Sequence, residues 1–87
     1  NLHCYPNPVN STLSIYWGSD FALKTEINIY NTSGKLIFKT EKISQKGTNS
    51  FTWGLESMYG KVIPSGVYIV KVKTSNAESV KKITYLK

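Results

Sequence analysis

The chain has 87 residues and a formal charge of +6, and its 11 basic residues are all lysine. A chain of that length builds one small domain with a modest core, so residues 1–87 read as a single domain with little material for a deep catalytic cleft. No stretch approaches the roughly 20 apolar residues of a membrane-spanning helix. The opening lacks the charged start and apolar run of a signal peptide, so any export signal lies upstream or in the domain itself. The absence of arginine removes the bidentate fork used to read bases, and nucleic acid is not expected as a partner.

The pattern is β throughout: short runs of Ile, Val, Tyr, Phe and Thr alternate with Gly, Pro, Asn and Ser clusters. Cys4-Tyr5-Pro6-Asn7-Pro8 opens it. Its two prolines remove two backbone donors, which restricts this stretch to an edge strand or an extended lead-in segment. Residues 12–17 alternate, with Leu13, Ile15 and Trp17 on one face and Ser14 and Tyr16 on the other. Residues 25–30 follow, with Ile27 and Ile29 inward. Asn31-Thr32-Ser33-Gly34 is a tight turn in which Gly34 supplies a positive φ. Residues 35–42 return as its hairpin partner, with Leu36 and Phe38 inward; Ile37 fits the outer face poorly. Residues 44–47 read as a loop, and 49–53 as a short strand with Phe51 and Trp53 on one side. Residues 54–65 form the longest irregular segment. Residues 66–74 are a strong strand, with Tyr68, Val70 and Val72 inside and Lys71 and Lys73 on the wet face. Residues 79–86 close the sheet with imperfect alternation, Ile83 and Tyr85 opposite Val80 and Leu86, which calls for a bulge or two-sided burial. About seven short, mainly antiparallel strands with turns at near-regular spacing indicate an all-β, Ig-like β-sandwich; a small open barrel is the alternative.

Residues that carry chemistry are sparse. Asp20, Glu26, Glu41, Glu56 and Glu78 are scattered, and no two are close enough in sequence to form an acid/base pair, though distant ones could converge. Cys4 and His3, the single Cys and His, give no internal disulfide, no zinc-ligand spacing and no nucleophile pair, and an intermolecular disulfide is the remaining role for Cys4. Phosphate-loop and nucleophile-elbow motifs are absent. No cofactor, no metal and no catalytic activity are expected. Trp17, Trp53 and Tyr68 share the phase of the aliphatic residues and are expected in the core. An exposed aromatic row would instead favour a carbohydrate-binding module.

Four segments stand in a distinctive order. They are Tyr5-Pro6-Asn7-Pro8 followed by Leu13 and Ile15; Ile29-Tyr30-Asn31-Thr32-Ser33-Gly34-Lys35; Pro64-Ser65-Gly66-Val67-Tyr68-Ile69-Val70-Lys71-Val72; and Val80-Lys81-Lys82-Ile83 running to Lys87. In this order the chain resembles the type A C-terminal sorting domain of type IX secretion cargo from the Bacteroidetes. Trp53-Gly54, Gly60, Val62 and the Pro64–Tyr68 turn also resemble the Ig-like domain of the flagellar hook-capping family. The long 54–65 loop is more like that second family.

The sorting-domain resemblance implies a folded address fused behind an exported cargo. It implies transit through the periplasm, recognition by an outer-membrane secretion machine, and a final place at the cell surface or in the medium. It further implies removal by a sortase-like protease cutting just ahead of the domain, near Tyr5-Pro6-Asn7-Pro8, with possible attachment of the cargo to anionic lipopolysaccharide. The expected recognition surface comprises Pro64, Gly66, Tyr68, Lys71, Lys81, Lys82, Ile83 and Lys87. A last strand ending in lysines, with unpaired backbone groups and a free carboxylate, suits strand addition or end capture by a receptor. The same lysines could serve only to protect an edge from aggregation. The domain is expected as a monomer or weak dimer. The alternatives are a carbohydrate-binding module and a structural Ig-like spacer.

Overall fold

The computed structural model describes residues 2–87. Seven strands follow one another: β1 Leu2–Tyr5, β2 Leu13–Ser19, β3 Leu23–Asn31, β4 Leu36–Ser44, β5 Gly47–Trp53, β6 Gly66–Lys73 and β7 Glu78–Tyr85. They form a three-stranded sheet in the order β1-β2-β5 and a four-stranded sheet in the order β4-β3-β6-β7. Every strand pair is antiparallel. This is the all-β sandwich that the alternation indicates. It departs from the constant-type immunoglobulin order in one strand: β4 lies beside β3 rather than in the sheet of β1, β2 and β5.

Alternation decides which side chains meet between the sheets. Leu13, Ile15 and Trp17 of β2 face Ile27 and Ile29 of β3 and Val70 and Val72 of β6, and all seven are buried. The register places Ile27 opposite Val72 and Ile29 opposite Val70, so β-branched pairs form the centre of the larger sheet. Trp53 anchors one side of the core. Its ring packs against Phe38 and Tyr68, with centroids 6.1 Å away in each case. Its indole N–H donates to Glu56 O at 2.9 Å.

The structure corrects three local expectations. Leu36 is 43% exposed rather than inward. The β3–β4 register shifts after Ile29: Ile29 pairs with Phe38, but Tyr30 pairs with Leu36. Ile37 is the extra residue of this bulge and packs against the core, while Leu36 moves to Tyr30's outer face. The bulge thus explains the poor fit of Ile37.

Ser44 belongs to β4 rather than a loop, and it is buried. Its hydroxyl accepts from the Trp17 indole N–H at 2.8 Å and shares a hydrogen bond with Thr25 Oγ1. These contacts join the two sheets and satisfy polar atoms that would otherwise be costly to bury.

In β7 neither a bulge nor two-sided burial is present. Its register with β6 is continuous from Glu78 to Tyr85, and Val80 and Leu86 are 55% and 52% exposed.

The 54–65 segment is irregular but anchored. Leu55 and Ile63 are buried, Glu56 bridges to Val62, and Met58 N–H donates to Ile37 O at 3.0 Å. The last bond covers the bulged outer edge of β4.

Candidate functional site

The four segments singled out in the sequence meet at one end of the sandwich. β3 runs into the Asn31–Gly34 turn there, with Asn31 opposite Tyr68 of β6. The turn forms as its residues require. Gly34 N–H donates to Asn31 O, Asn31 Oδ1 accepts from Ser33 and Lys35 N–H, and Gly34 has φ 84°.

The Pro64–Tyr68 segment is closed by its own tyrosine. Tyr68 is buried, and its hydroxyl donates to Pro64 O at 2.7 Å, the tyrosine-corner arrangement of β-sandwiches. Burial pushes the Tyr68 phenol pKa up, with Tyr85 adding a smaller push. Gly66, between them, has φ +155°, a conformation that L side chains rarely adopt. Gly66 pairs with Tyr85 and Tyr68 with Ile83, so this turn and the end of β7 form one unit. Ser65 Oγ adds a further tie, accepting from Lys87 N–H at 3.0 Å.

The lead-in segment completes the cluster from the other end of the chain. β1 is an edge strand, consistent with the two prolines that follow it. The chain then crosses to β7. Asn7 Oδ1 accepts from Thr84 N–H at 3.0 Å, and Asn7 Nδ2 donates to Lys82 O at 3.4 Å. Val9 bridges β7 in parallel at Tyr85: Val9 N–H donates to Thr84 O, and Leu86 N–H to Val9 O, both at 2.9 Å. Val9 itself is 1% exposed.

This corrects the expectation of a freely unpaired last strand. Asn7 and Val9 occupy its edge at Lys82, Thr84 and Leu86. Among the described residues no backbone hydrogen bond reaches the 78–81 stretch of that edge, although β1 packs against β7. Asn7 was legible as part of a motif, but its role was not, because its partners lie 75 and 77 residues away. Asn7→Ala removes both side-chain bonds and should cost about 1 kcal/mol. Amide exchange at Thr84 should accelerate more than at Val70. Unchanged protection at Thr84 would show that Val9 holds the edge alone.

The proposed recognition residues therefore divide. Pro64, Gly66, Lys82 and Lys87 lie at the shared end beside Pro6, Asn7 and Pro8. Tyr68 and Ile83 are buried there and do not present their side chains at the surface. Lys81 and Lys82 lie on opposite faces of β7. Lys81 is opposite inward-facing Val70, and Lys82 opposite Ile69. Period-two alternation from Ile83 and Tyr85 already implies this split. Lys71 lies farther along the outer face, 3.2 Å from Glu78 Oε2 and over the Tyr30 ring, 5.4 Å from its centroid. Glu78 raises the Lys71 pKa, chiefly by their hydrogen bond.

The remaining chemistry-bearing groups are otherwise engaged. Glu26 and Glu41 oppose each other across β3 and β4, and each has a lysine at hand: Lys39 at 4.0 Å and Lys24 at 3.5 Å. These are exposed ion pairs of small energetic weight. Cys4 is buried, and burial pushes its thiol up to about 11, against a smaller downward pull from Lys81. A thiol so raised is a weak nucleophile near neutrality. Among the described residues, no group of three His, Cys, Asp or Glu side chains could hold a metal. No helix among them is long and apolar enough to cross a membrane.

Comparison with known proteins agrees with this arrangement. The profile of the secretion system C-terminal sorting domain matches residues 3–85. No curated protein compared with the chain matches it. Among solved structures, the chain is similar to dimeric latent PorU from Porphyromonas gingivalis, with a TM-score of 0.83 and 20% identity, over 98% of this chain and 9% of that one. It is also similar to PorZ, an essential bacterial surface component of the type-IX secretion system of the same organism. There the TM-score is 0.73 and the identity 21%, over 99% of this chain and 11% of that one. At these identities the likeness is one of fold, and the chain spans about a tenth of either protein's length. Tail domains of the matched family belong to proteins secreted across the outer membrane to the cell surface or beyond, which implies a secretion machine and a fused cargo. The match over residues 3–85, on a sandwich that gathers the four motif segments at one end, shows that the chain belongs to the family of type IX secretion system C-terminal sorting domains.

Proposed function

We propose that residues 1–87 act as one domain that addresses a fused cargo protein to the type IX machine. The machine reads the end where the Pro64–Gly66 turn, the end of β7 and the Asn7–Val9 segment meet. The observation that supports this reading is their convergence. Segments from both ends of the chain and from its middle are tied together by Asn7–Thr84, Val9–Leu86 and Ser65–Lys87 bonds. Core packing alone does not require polar side chains to bind the outer edge of β7.

Lys82 and Lys87 supply exposed positive charge to this end. The 78–81 edge of β7, beside Lys81 and within reach of Lys71, is open to strand addition. Tyr68 and Ile83 hold the shape from inside. The cargo crosses the periplasm before it reaches the surface or the medium. A sortase-like protease cuts ahead of β1, just upstream of Tyr5-Pro6-Asn7-Pro8, so cleavage leaves the folded domain intact. The excess of lysine favours the anionic lipopolysaccharide surface on which such cargo would be retained. The isolated domain is a monomer or weak dimer; the Asn7–Val9 cover shortens the β7 edge available for self-pairing.

Hydrogen-exchange footprinting with outer membranes that contain the machine tests the surface. Protection is expected over 6–9, 64–66 and 78–87, absent when the membranes lack the machine. Machine-dependent protection confined to β4 and β5 would refute it.

A further inference from the structure

The three-stranded sheet has an unusual outer face. Alternation turns His3 and Tyr5 of β1, Ser14, Tyr16 and Gly18 of β2, and Thr48, Ser50 and Thr52 of β5 away from the core. No Asp, Glu, Lys or Arg occurs anywhere in these three strands, although 11 lysines and 5 carboxylates are spread over the rest of the chain. Edge strands commonly carry lysine to prevent pairing. Here β5 borrows one from the other sheet, Lys42 Nζ donating to Ser50 O at 2.9 Å, and the face itself stays free of charge.

The aromatic side chains on this face are gathered rather than scattered. The register sets His3 opposite Tyr16 and Tyr5 opposite Ser14. The His3 and Tyr5 rings lie near parallel at 10° with centroids 6.3 Å apart, and Tyr5 and Tyr16 are also 6.3 Å apart. Tyr5 is 58% exposed and Tyr16 37%. Hydroxyls lie directly beside them: Tyr16 is opposite Ser50, and Ser14 opposite Thr52. Trp17, Trp53 and Tyr68 are in the core, whereas strand phase, with Leu2, Cys4 and Ile15 inward, puts His3, Tyr5 and Tyr16 on the surface.

We infer that this face is a binding platform for a neutral glycan. A pyranose ring offers apolar C–H faces to aromatic rings and a rim of hydroxyls to hydroxyl side chains, and it carries no charge. The His3–Tyr5–Tyr16 row and the Ser14, Ser50 and Thr52 hydroxyls supply both halves of that match. Tyrosine suits the role because it presents a broad amphipathic surface at low entropic cost. An anionic ligand would find its counter-charges on the other sheet, where Lys24, Lys39, Lys71 and Lys73 reside. The platform adjoins the motif end through Tyr5, which precedes Pro6, and extends away from it over Tyr16 and Ser50 on the other two strands.

The test titrates isotope-labelled domain with mannohexaose, cellohexaose and chitohexaose, and with dextran sulfate as the anionic control, following amide and ring resonances. At least one neutral hexasaccharide should shift His3, Tyr5, Ser14, Tyr16, Ser50 and Thr52 while leaving β6 and β7 unmoved. Tyr16→Ala should weaken that binding about tenfold or more. Ser50→Lys, which adds a charge to the face without touching the core, should weaken it as strongly. The proposal fails if no neutral hexasaccharide shifts the face at about millimolar concentration. It fails equally if both variants bind like the parent, or if the same resonances move with protein concentration alone, as for a self-association face.

Discussion

Trp53→Ala should cost about 3–5 kcal/mol, the range for removing a buried large aromatic side chain. A domain is stable by only about 5–15 kcal/mol in total, and one this short falls at the low end. Trp53 is 1% exposed and joins β5 to Phe38 of β4 and Tyr68 of β6. Its loss also leaves Glu56 O without the indole donor and frees the start of the 54–65 segment. A urea transition followed by circular dichroism should therefore move to much lower denaturant, or be absent because the chain is already unfolded. A shift worth less than about 1 kcal/mol would show that the core closes over the gap, contrary to close packing between the sheets.

The second large effect concerns export rather than stability. Lys82→Glu with Lys87→Glu should leave the fold intact, because both side chains are exposed and exposed charges contribute little to stability. The same double change reverses the charge at the end where the motif segments meet. A reporter carrying it should reach the surface at a small fraction of the parent level and accumulate in the periplasm as folded protein. Full export would remove these lysines from the recognised surface. Deleting residues 83–87 is a poorer probe of this end. Ile83 is fully buried and Tyr85 nearly so, and the deletion would remove core along with signal.

The strands were legible because the strands alternate. Leu13, Ile15 and Trp17 announce β2, and Tyr68, Val70 and Val72 announce β6, since a half-buried strand must place apolar groups at every second position. Leu36 misled for a specific reason: a bulge breaks period two, and the poor outer-face fit of Ile37 signals an irregularity without showing that Leu36 turns outward. Ser44 resembles turn chemistry until Trp17 and Thr25 are seen to need it. The site was legible as a set of motifs but not as a place. Asn7, Val9, Ser65 and Lys87 matter through bonds to partners far away in the chain. Such pairings follow from the sheet order, which local patterning does not determine. The opposite facing of Lys81 and Lys82 was within reach, because Ile83 and Tyr85 fix the phase of β7.

These 87 residues should suffice as an address. The most direct test joins them to the C-terminus of a reporter that carries an inner-membrane signal peptide, in a Bacteroidetes host with and without a working type IX machine. Reporter is expected at the surface or in the medium only when the machine is present, with a mass showing that the domain has been removed ahead of β1. Periplasmic retention of a folded fusion in the host with a working machine would contradict it.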